Sequence, residues 1–575
     1  MALDKFLAVL TTGAFFDTDD AMRAVQVRDL LAGQNWFDMT QYRLDPPAGV
    51  FMHWSRVVDA PLALLVKTFG LIAEPALSER LARLVFPFLL TIGFFAVTIA
   101  LCERLLGSGV RYFALAAAFL YGPATGQFEP GRIDHHAPQI LLLMIVVWGF
   151  ADAFIVRRLR MATLAGAAFA TSMAVSVENV PFFAAVIGGL VVLWIFSGGA
   201  TAPVLRAFAF GLAVFSLLVF VATVAPSRWS IVADDALSLS QLTALLSASA
   251  ALALLAVSPL QARMSRLALA SLVGLLIGTG LLVAFPGLFE RPFTHLDPLL
   301  KSLWLDHVEE AQPLLRKWRD DPGFAIGITV PALIGVAAST WFAAQCDDGA
   351  RHHVWFIVAC TALGGLAASI LMVRTMSAVQ ALAIPGSLGL VLALRSRLSR
   401  QHVMLAGPAA TFAMIVASSS VGWAAGAIRL SPALRERGAT PSALTGTHAS
   451  NSRCATPASF SQLAALPNGK VLADPDLGGY ILAHTPHTVV SAAYHRNVSG
   501  MRTALSIFTD RELNFAAALD RTGARYLVIC PEAFDGVDHE RSRQGVIAQL
   551  LRGETSATLR HLAAHDSALR IYLLK

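Results

Sequence analysis

Residues 131–156 read GRIDHHAPQILLLMIVVWGFADAFIV, and the fold turns on this stretch. An Asp and two His stand at the mouth of an apolar run, 137–156, of about the 20 residues a helix needs to cross a bilayer. Comparable runs lie at 84–102, 112–122, 161–177, 180–196, 207–226, 240–257, 267–285, 324–344, 354–373, 376–394 and 403–428. Together they predict a multi-pass α-helical membrane protein with twelve transmembrane helices. At the N-terminus, LAVLTTGAFF (7–16) is half a span without a signal-peptide cleavage site. It reads as a shortened first helix, which brings the expected total to thirteen.

Composition points the same way. Of 575 residues, 56% are hydrophobic and 14% charged, and mean hydropathy is +0.62, which excludes both a soluble enzyme and a disordered chain. The net charge of +6 needs no nucleic-acid partner, because arginine excess in a membrane protein collects in cytoplasmic loops. Of the five cysteines, Cys102, Cys346 and Cys360 lie in or beside apolar runs, and no zinc-type spacing occurs.

Loop charge orients the chain. With residues 17–83 outside, the alternate loops carry Arg104, Arg111, Arg157, Arg158, Arg160, Arg206, Arg263, Arg266, Arg351, Arg395, Arg397 and Arg400. Only Glu103, Asp347 and Asp348 oppose them there, a cytoplasmic signature. The opposite loops hold DTDDAMR (17–23), GRIDHH (131–136), VEEAQP (308–313) and VRT (373–375). Four charged clusters therefore share one outward face, periplasmic in a bacterial-type inner membrane.

Residues 1–428 form the expected membrane domain, with outer loops 17–83 and 286–323. From 429 to 575 the composition becomes that of a soluble module, with strand-like GKVLAD (469–474), HTVVSA (487–492) and RYLVIC (525–530), and helix-like ELNFAAALDR (512–521) and GVIAQLLRG (545–553). An outer α/β domain is expected. Cys454 and Cys530 both fall in it, and an oxidising compartment would let them pair.

Three carboxylates in four residues, Asp17, Asp19 and Asp20, repel one another and are more comfortable beside a divalent cation such as Mg or Mn. In GRIDHH, Asp134, His135 and His136 supply one oxygen and two nitrogen ligands, although Asp134 also reads as a helix cap. Glu309 and Glu310 sit in a long loop, where a helix start competes with a site. Arg374 can snorkel or hold a phosphate, whose oxygens its guanidinium fork matches.

Four stretches, DTDDAMRAVQVRDLLAGQNWFD (17–38), GRIDHH, VEEAQP and VRTMSAVQALAIP (373–385), occur in the order seen in the catalytic subunit of oligosaccharyltransferases, which the chain resembles. That subunit belongs to the GT-C superfamily of membrane glycosyltransferases using polyprenyl-linked sugars. Aligning Arg28 with the family Arg that opens an RDL-like segment selects Asp19 as the first-loop carboxylate, with Asp17 and Asp20 as alternates. The second motif falls on Asp134 and His136, the loop motif on Glu310 with Gln312 and Pro313, and the diphosphate-contacting Arg on Arg374. The resemblance implies catalytic roles for Asp19, Asp134 and Glu310 and a metal held by Asp19, Asp134, His136 and Glu310. His53, Trp54 and Arg56, in MHWSR (52–56), are candidates for lining the site, as are His135 and Gln312.

Two positions depart from the family. His136 stands where it has a carboxylate, and DPDLGGY (474–480) stands where it reads its acceptor through Trp-Trp-Asp. Asp476 and Tyr480, with Tyr494 and His495 of YHRN (494–497), are the candidate acceptor region. The function implied is transfer of a sugar or oligosaccharide from a polyprenyl-phosphate or diphosphate donor to a protein, lipid or glycan acceptor. A transporter or flippase for lipid-linked glycans or ions is the alternative, but such proteins place charges near the midplane and show internal repeats. Neither is visible here.

Overall fold

Each of the twelve apolar runs is helical in the computed structural model, which describes residues 2–290, 293–431, 453–509, 515–534, 550–552, 559–562 and 568–574. Among the described residues, nine helices are long and apolar enough to span a membrane, and the pair Val403–Ser418 and Ser420–Leu430, bent by 81°, makes a tenth. The remaining two runs are shorter helices, Arg111–Leu120 and Leu159–Val175. At about 1.5 Å per residue, ten residues cover only half a bilayer. The chain therefore continues past Tyr121 through Gly122–Thr125 and Gly126–Phe128. Tyr121 secures that break, its buried hydroxyl lying 2.6 Å from Ser387 Oγ and donating to Pro331 O at 3.1 Å. The N-terminal run is an eleven-residue helix, Ala2–Thr12.

One end of the bundle gathers the arginine loops. Asp152 accepts from Arg104 Nε at 2.5 Å and from Arg158 Nη1 at 3.2 Å. Arg266 donates to Trp194 O at 2.9 Å, and Ser197 meets His353 at 3.0 Å. The other end carries all four charged clusters. Helices Pro322–Gln345 and Met376–Gln401 deliver two of them, and they pack backbone to backbone: a Cβ on Gly386 would lie 2.0 Å from Gly335 O. Small residues allow such close approach where apolar burial gives no net drive between helices in lipid. The outer ends of this pair are joined by Val373 N–H donating to Gln312 O at 2.8 Å.

In the first outer loop, helix Thr18–Leu31 is followed by a two-stranded antiparallel hairpin, β1 (Thr40–Gln41) and β2 (Val50–Phe51), and by helix Arg56–Phe69. After the bundle comes a five-stranded sheet of β3 (Lys470–Ala473), β4 (Thr488–Val489), β5 (Tyr526–Ile529), β6 (Leu559–His561) and β7 (Arg570–Leu574), in the order β4-β3-β5-β7-β6. Strands β4, β3 and β5 are parallel, with Lys470 opposite Thr488 and Val471 opposite Tyr526. Strand β7 runs antiparallel to β5 and β6. Cys454 and Cys530 form a disulfide with Cα atoms 5.8 Å apart. GVIAQLLRG lies mostly outside the described residues, and ELNFAAALDR is described from Phe515, where helix Phe515–Thr522 begins.

The sheet module and the first outer loop share one apolar core, in which Phe15, Met22, Val25 and Trp54 pack with Val471, Leu477, Ile481 and Val528. Backbone pairing reinforces it, since Val489 N–H donates to Arg43 O and Asp45 N–H to Val489 O, both at 2.8 Å. Helix Pro475–His484 is the piece of the module laid against helix Thr18–Leu31. Gly479 permits the approach, since a Cβ there would lie 2.5 Å from Thr18 Oγ1, while Gly478 seats the helix within its own module, where a Cβ would lie 2.2 Å from Ser491 O. His484 is packed between Phe15 and Phe460, each ring centroid 5.4 Å away.

Two outcomes follow. Gly478→Ala, which meets backbone, is expected to cost about 2 kcal/mol, and Gly479→Ala, which meets a rotatable side chain, less. Equal thermal midpoints for the two variants would contradict this packing. Burial first, and then the Arg28 and Arg83 charges, hold His484 down to about 4 from 6.5. The unfolded chain therefore binds the proton more readily, and the stability this ring contributes is complete above pH 6.5 and lost as pH falls toward about 4. The thermal midpoint in detergent should drop between about pH 7 and pH 5, and His484→Gln should flatten the drop.

Candidate active site

Helix Thr18–Leu31 begins because Asp17 caps it, its Oδ1 accepting Asp19 N–H at 2.9 Å. This puts Asp19 and Asp20 in the first turn, where the helix dipole favours carboxylates. Asp20 is buried and accepts two backbone donors from the GRIDHH turn, Ile133 N–H at 2.7 Å and Asp134 N–H at 3.1 Å. Burial and the neighbouring carboxylates Asp134 and Asp17 raise Asp20 to about 8, against the pull of Arg132 and Ile133 N–H. Asp20 thus ties the first two clusters together.

In GRIDHH, Asp134 lies just ahead of helix His136–Ile155, accepts His136 N–H at 2.9 Å and pairs with Arg132. Arg132, His136 and His135 overcome its burial and keep it well below the usual carboxylate range. The two His rings turn to a residue that cluster-spotting in the sequence passes over, Glu178. His135 Nε2 lies 3.1 Å from Glu178 Oε1, and His136 Nδ1 lies 3.5 Å from Oε2. Arg374 pairs with the same carboxylate. His136 Nε2 lies 3.4 Å from Glu310 Oε2, and Arg374 Nη1 3.8 Å from Glu310 Oε1. Burial opposes ionisation of Glu310, but His136 and Arg374 bring it down to about 2. Glu309 turns away and pairs with Lys317.

Asp19 faces this group. Burial, then the charges of Asp17, Glu310 and Asp134, raise it well above its ordinary value, and His136 works the other way. Such a concentration of carboxylates, with Asp20 Oδ2 buried and lacking a hydrogen-bond partner, suits a divalent cation. Asp19, Asp134, His136 and Glu310 fit that chemistry by donor type. The residues of this site whose ligand atoms lie within 4.8 Å of one another are instead His135, His136 and Glu178.

The other candidates separate. Gln312 is buried and positions the loop, its side chain donating to Asp306 O at 3.3 Å. Trp54 lies under the Arg23 guanidinium at 4.4 Å and 6.3 Å from His135, at the edge of the site. Arg56 does not line it. Fully buried, it pairs with Asp59 at 3.0 Å and donates to Gln34 Oε1, Trp36 O and Asp38 O, so it is spent on holding the outer loop. Tyr494 donates to Thr18 O at 3.0 Å, and Tyr480 is buried beside the Asp17 and Asp20 charges. Asp476 is exposed at the start of helix Pro475–His484. His495 and His53 meet elsewhere, around Asp235.

Glu178 was legible by counting: it falls between the runs 161–177 and 180–196, in a loop that the arginine pattern places outside. Arg132 stands two residues before Asp134 and was equally open to view.

The fold, helical spans capped on one face by a mixed α/β module, is similar to that of solved membrane proteins. Solved structures matching it include the archaeal oligosaccharyltransferase AglB from Archaeoglobus fulgidus with an inhibitory peptide and a dolichol-phosphate, at TM-score 0.64 and 14% identity, over 92% of this chain and 68% of that one. The same organism's enzyme tethered to an acceptor peptide containing the NVT sequon matches equally. Its complex with Zn and sulfate matches at TM-score 0.59 and 14% identity over 100% and 72%. No protein-family profile and no curated protein matches the chain.

Asp20→Ala removes the acceptor of two buried N–H groups and is expected to lower stability by about 2 kcal/mol. Asp20→Asn, which keeps an acceptor oxygen, should lose less in the same thermal unfolding assay.

Proposed function

We propose that the protein transfers a sugar or oligosaccharide from a polyprenyl-phosphate or diphosphate donor to an acceptor at the outward, periplasmic face of a bacterial-type inner membrane. The observation carrying this reading is the meeting of Asp19, Asp134, His136, Glu310 and Arg374 at one end of the bundle, under the soluble module. The neighbours' dolichol-phosphate, acceptor peptide and zinc with sulfate agree with a lipid phosphate, an acceptor and a metal at such a site. A transporter would hold its charges near the midplane, which does not describe this cluster.

Arg374 would bind the donor phosphate through its fork, exchanging Glu178 for phosphate oxygens. The acceptor atom attacks the anomeric carbon from the side opposite the phosphate, with inversion. The carbon–oxygen bond to phosphate breaks, the electron pair leaves with the phosphate, and the acceptor's proton passes to a carboxylate, Asp19 or Glu310. A divalent cation, when bound by Asp19, Asp134, His136 and Glu310, supplies positive charge to the leaving phosphate. The acceptor is a protein, a lipid or an envelope glycan. Recognition of a peptide sequon by the family's Trp pair does not carry over, since DPDLGGY lacks both and uses Gly479 for docking against Thr18.

Purified protein incubated with labelled polyprenyl-linked glycan and a membrane extract should yield a labelled acceptor. EDTA should abolish the transfer, and Asp19→Ala and Glu310→Ala should each lower it at least ~100-fold. Full activity in either variant would refute the mechanism, and label crossing sealed vesicles chemically unchanged would favour transport.

A further inference from the structure

A second group of ligating side chains meets where three distant parts of the chain converge. His53 follows β2 in the first outer loop, Asp235 lies between helices Ala202–Thr223 and Leu239–Val257, and His495 follows β4 in the soluble module. One ring nitrogen of each His and one carboxylate oxygen of Asp235 lie within 4.8 Å of one another. His495 Nε2 is 2.6 Å from Asp235 Oδ2, and the His53 and His495 ring centroids are 4.6 Å apart. Arg496 grips both oxygens of Asp235, at 2.7 and 2.6 Å, and also donates to Phe51 O at 3.2 Å and Met52 O at 3.3 Å. The carboxylate is thereby fixed in direction and the backbone carrying His53 is fixed to it. Yet His53 Nδ1 is buried without a hydrogen-bond partner, an uncommon condition for a polar atom in a folded protein.

We propose that His53, Asp235 and His495 form a second divalent-metal site, zinc-type in its chemistry, that clamps the soluble module to the outer loops. Two imidazoles and one carboxylate are a donor set for zinc and other borderline ions. The group around Asp19 differs, being dominated by carboxylates. Arg496 acts as the outer partner that orients the ligating carboxylate, as hydrogen-bonding groups around metal sites commonly do. Because it also neutralises Asp235, the imidazoles carry most of the affinity, which keeps binding reversible. Three protein ligands leave a fourth coordination position for water or a ligand, and His53 also lines an adjoining groove whose walls include Phe51, Trp54, Arg228 and Ser238.

The test uses the full chain in detergent, stripped with chelator and titrated with Co²⁺ as an optical probe. Wild type should develop a saturable visible spectrum, retained in Asp19→Ala and weakened at least ~10-fold in affinity in His53→Ala and His495→Ala. Zn²⁺ should raise the thermal midpoint of wild type by more than that of the two His variants, which keep only the site around Asp19. His495→Cys guards against simple misfolding: cobalt bound there should add a thiolate charge-transfer band in the near ultraviolet. Unchanged cobalt affinity in both His→Ala variants would overturn the proposal, as would a folded His495→Cys protein without the band.

Discussion

The arrangement at the outer face depends on one carboxylate accepting two backbone donors. Asp20 holds Ile133 N–H and Asp134 N–H, so a helix start near the N-terminus and the mouth of a membrane helix 113 residues later become a single rigid element. A second backbone bond, Val373 to Gln312, couples the loop of Glu310 to the turn of Arg374. Glu178 then spans the two halves, taking His135 and His136 from one and Arg374 from the other. Positions fixed by main-chain groups tolerate little drift, and a site for charge transfer needs that precision.

Charge explains why so many acidic groups can be held together. Asp134 has Arg132, Glu178 has Arg374 and two imidazoles, and Glu310 has His136. Asp17, Asp19 and Asp20 have no such private partner, and burial with mutual repulsion raises all three. Paired charges in low-dielectric surroundings cost little, while unpaired ones favour protonation or a cation. The soluble module adds to this by covering the helix that bears them, with Tyr480 and Tyr494 against its first turn.

Much of this was legible because lipid imposes a simple rule on sequence: a spanning helix needs an unbroken apolar run. All twelve runs are helices, and the grouping of the four clusters at one end of the bundle followed from arginines alone. What escaped was local. Arg111–Leu120 stops at Tyr121, ahead of Gly122 and Pro123, and the last span bends at Ser419 within three consecutive serines, breaks that hydropathy averaged over a whole span does not register. Glu178 was passed over as one carboxylate in a two-residue loop, although its partners make it the hub of the site. Arg56, read as a lining residue, is consumed by Asp59 and loop carbonyls, and sequence cannot tell a buried guanidinium from a functional one.

The Cys454–Cys530 bond joins positions 76 apart in sequence and encloses helix Pro475–His484, which lies over the acidic cluster. Closing a loop of that length restricts the unfolded chain by about 4 kcal/mol in the entropy picture. Thiols stay reduced where glutathione is abundant, so a chain retained on a reducing side of its membrane would lack this brace. The covering of the acidic face would then be braced only where the module that carries this disulfide meets an oxidising medium.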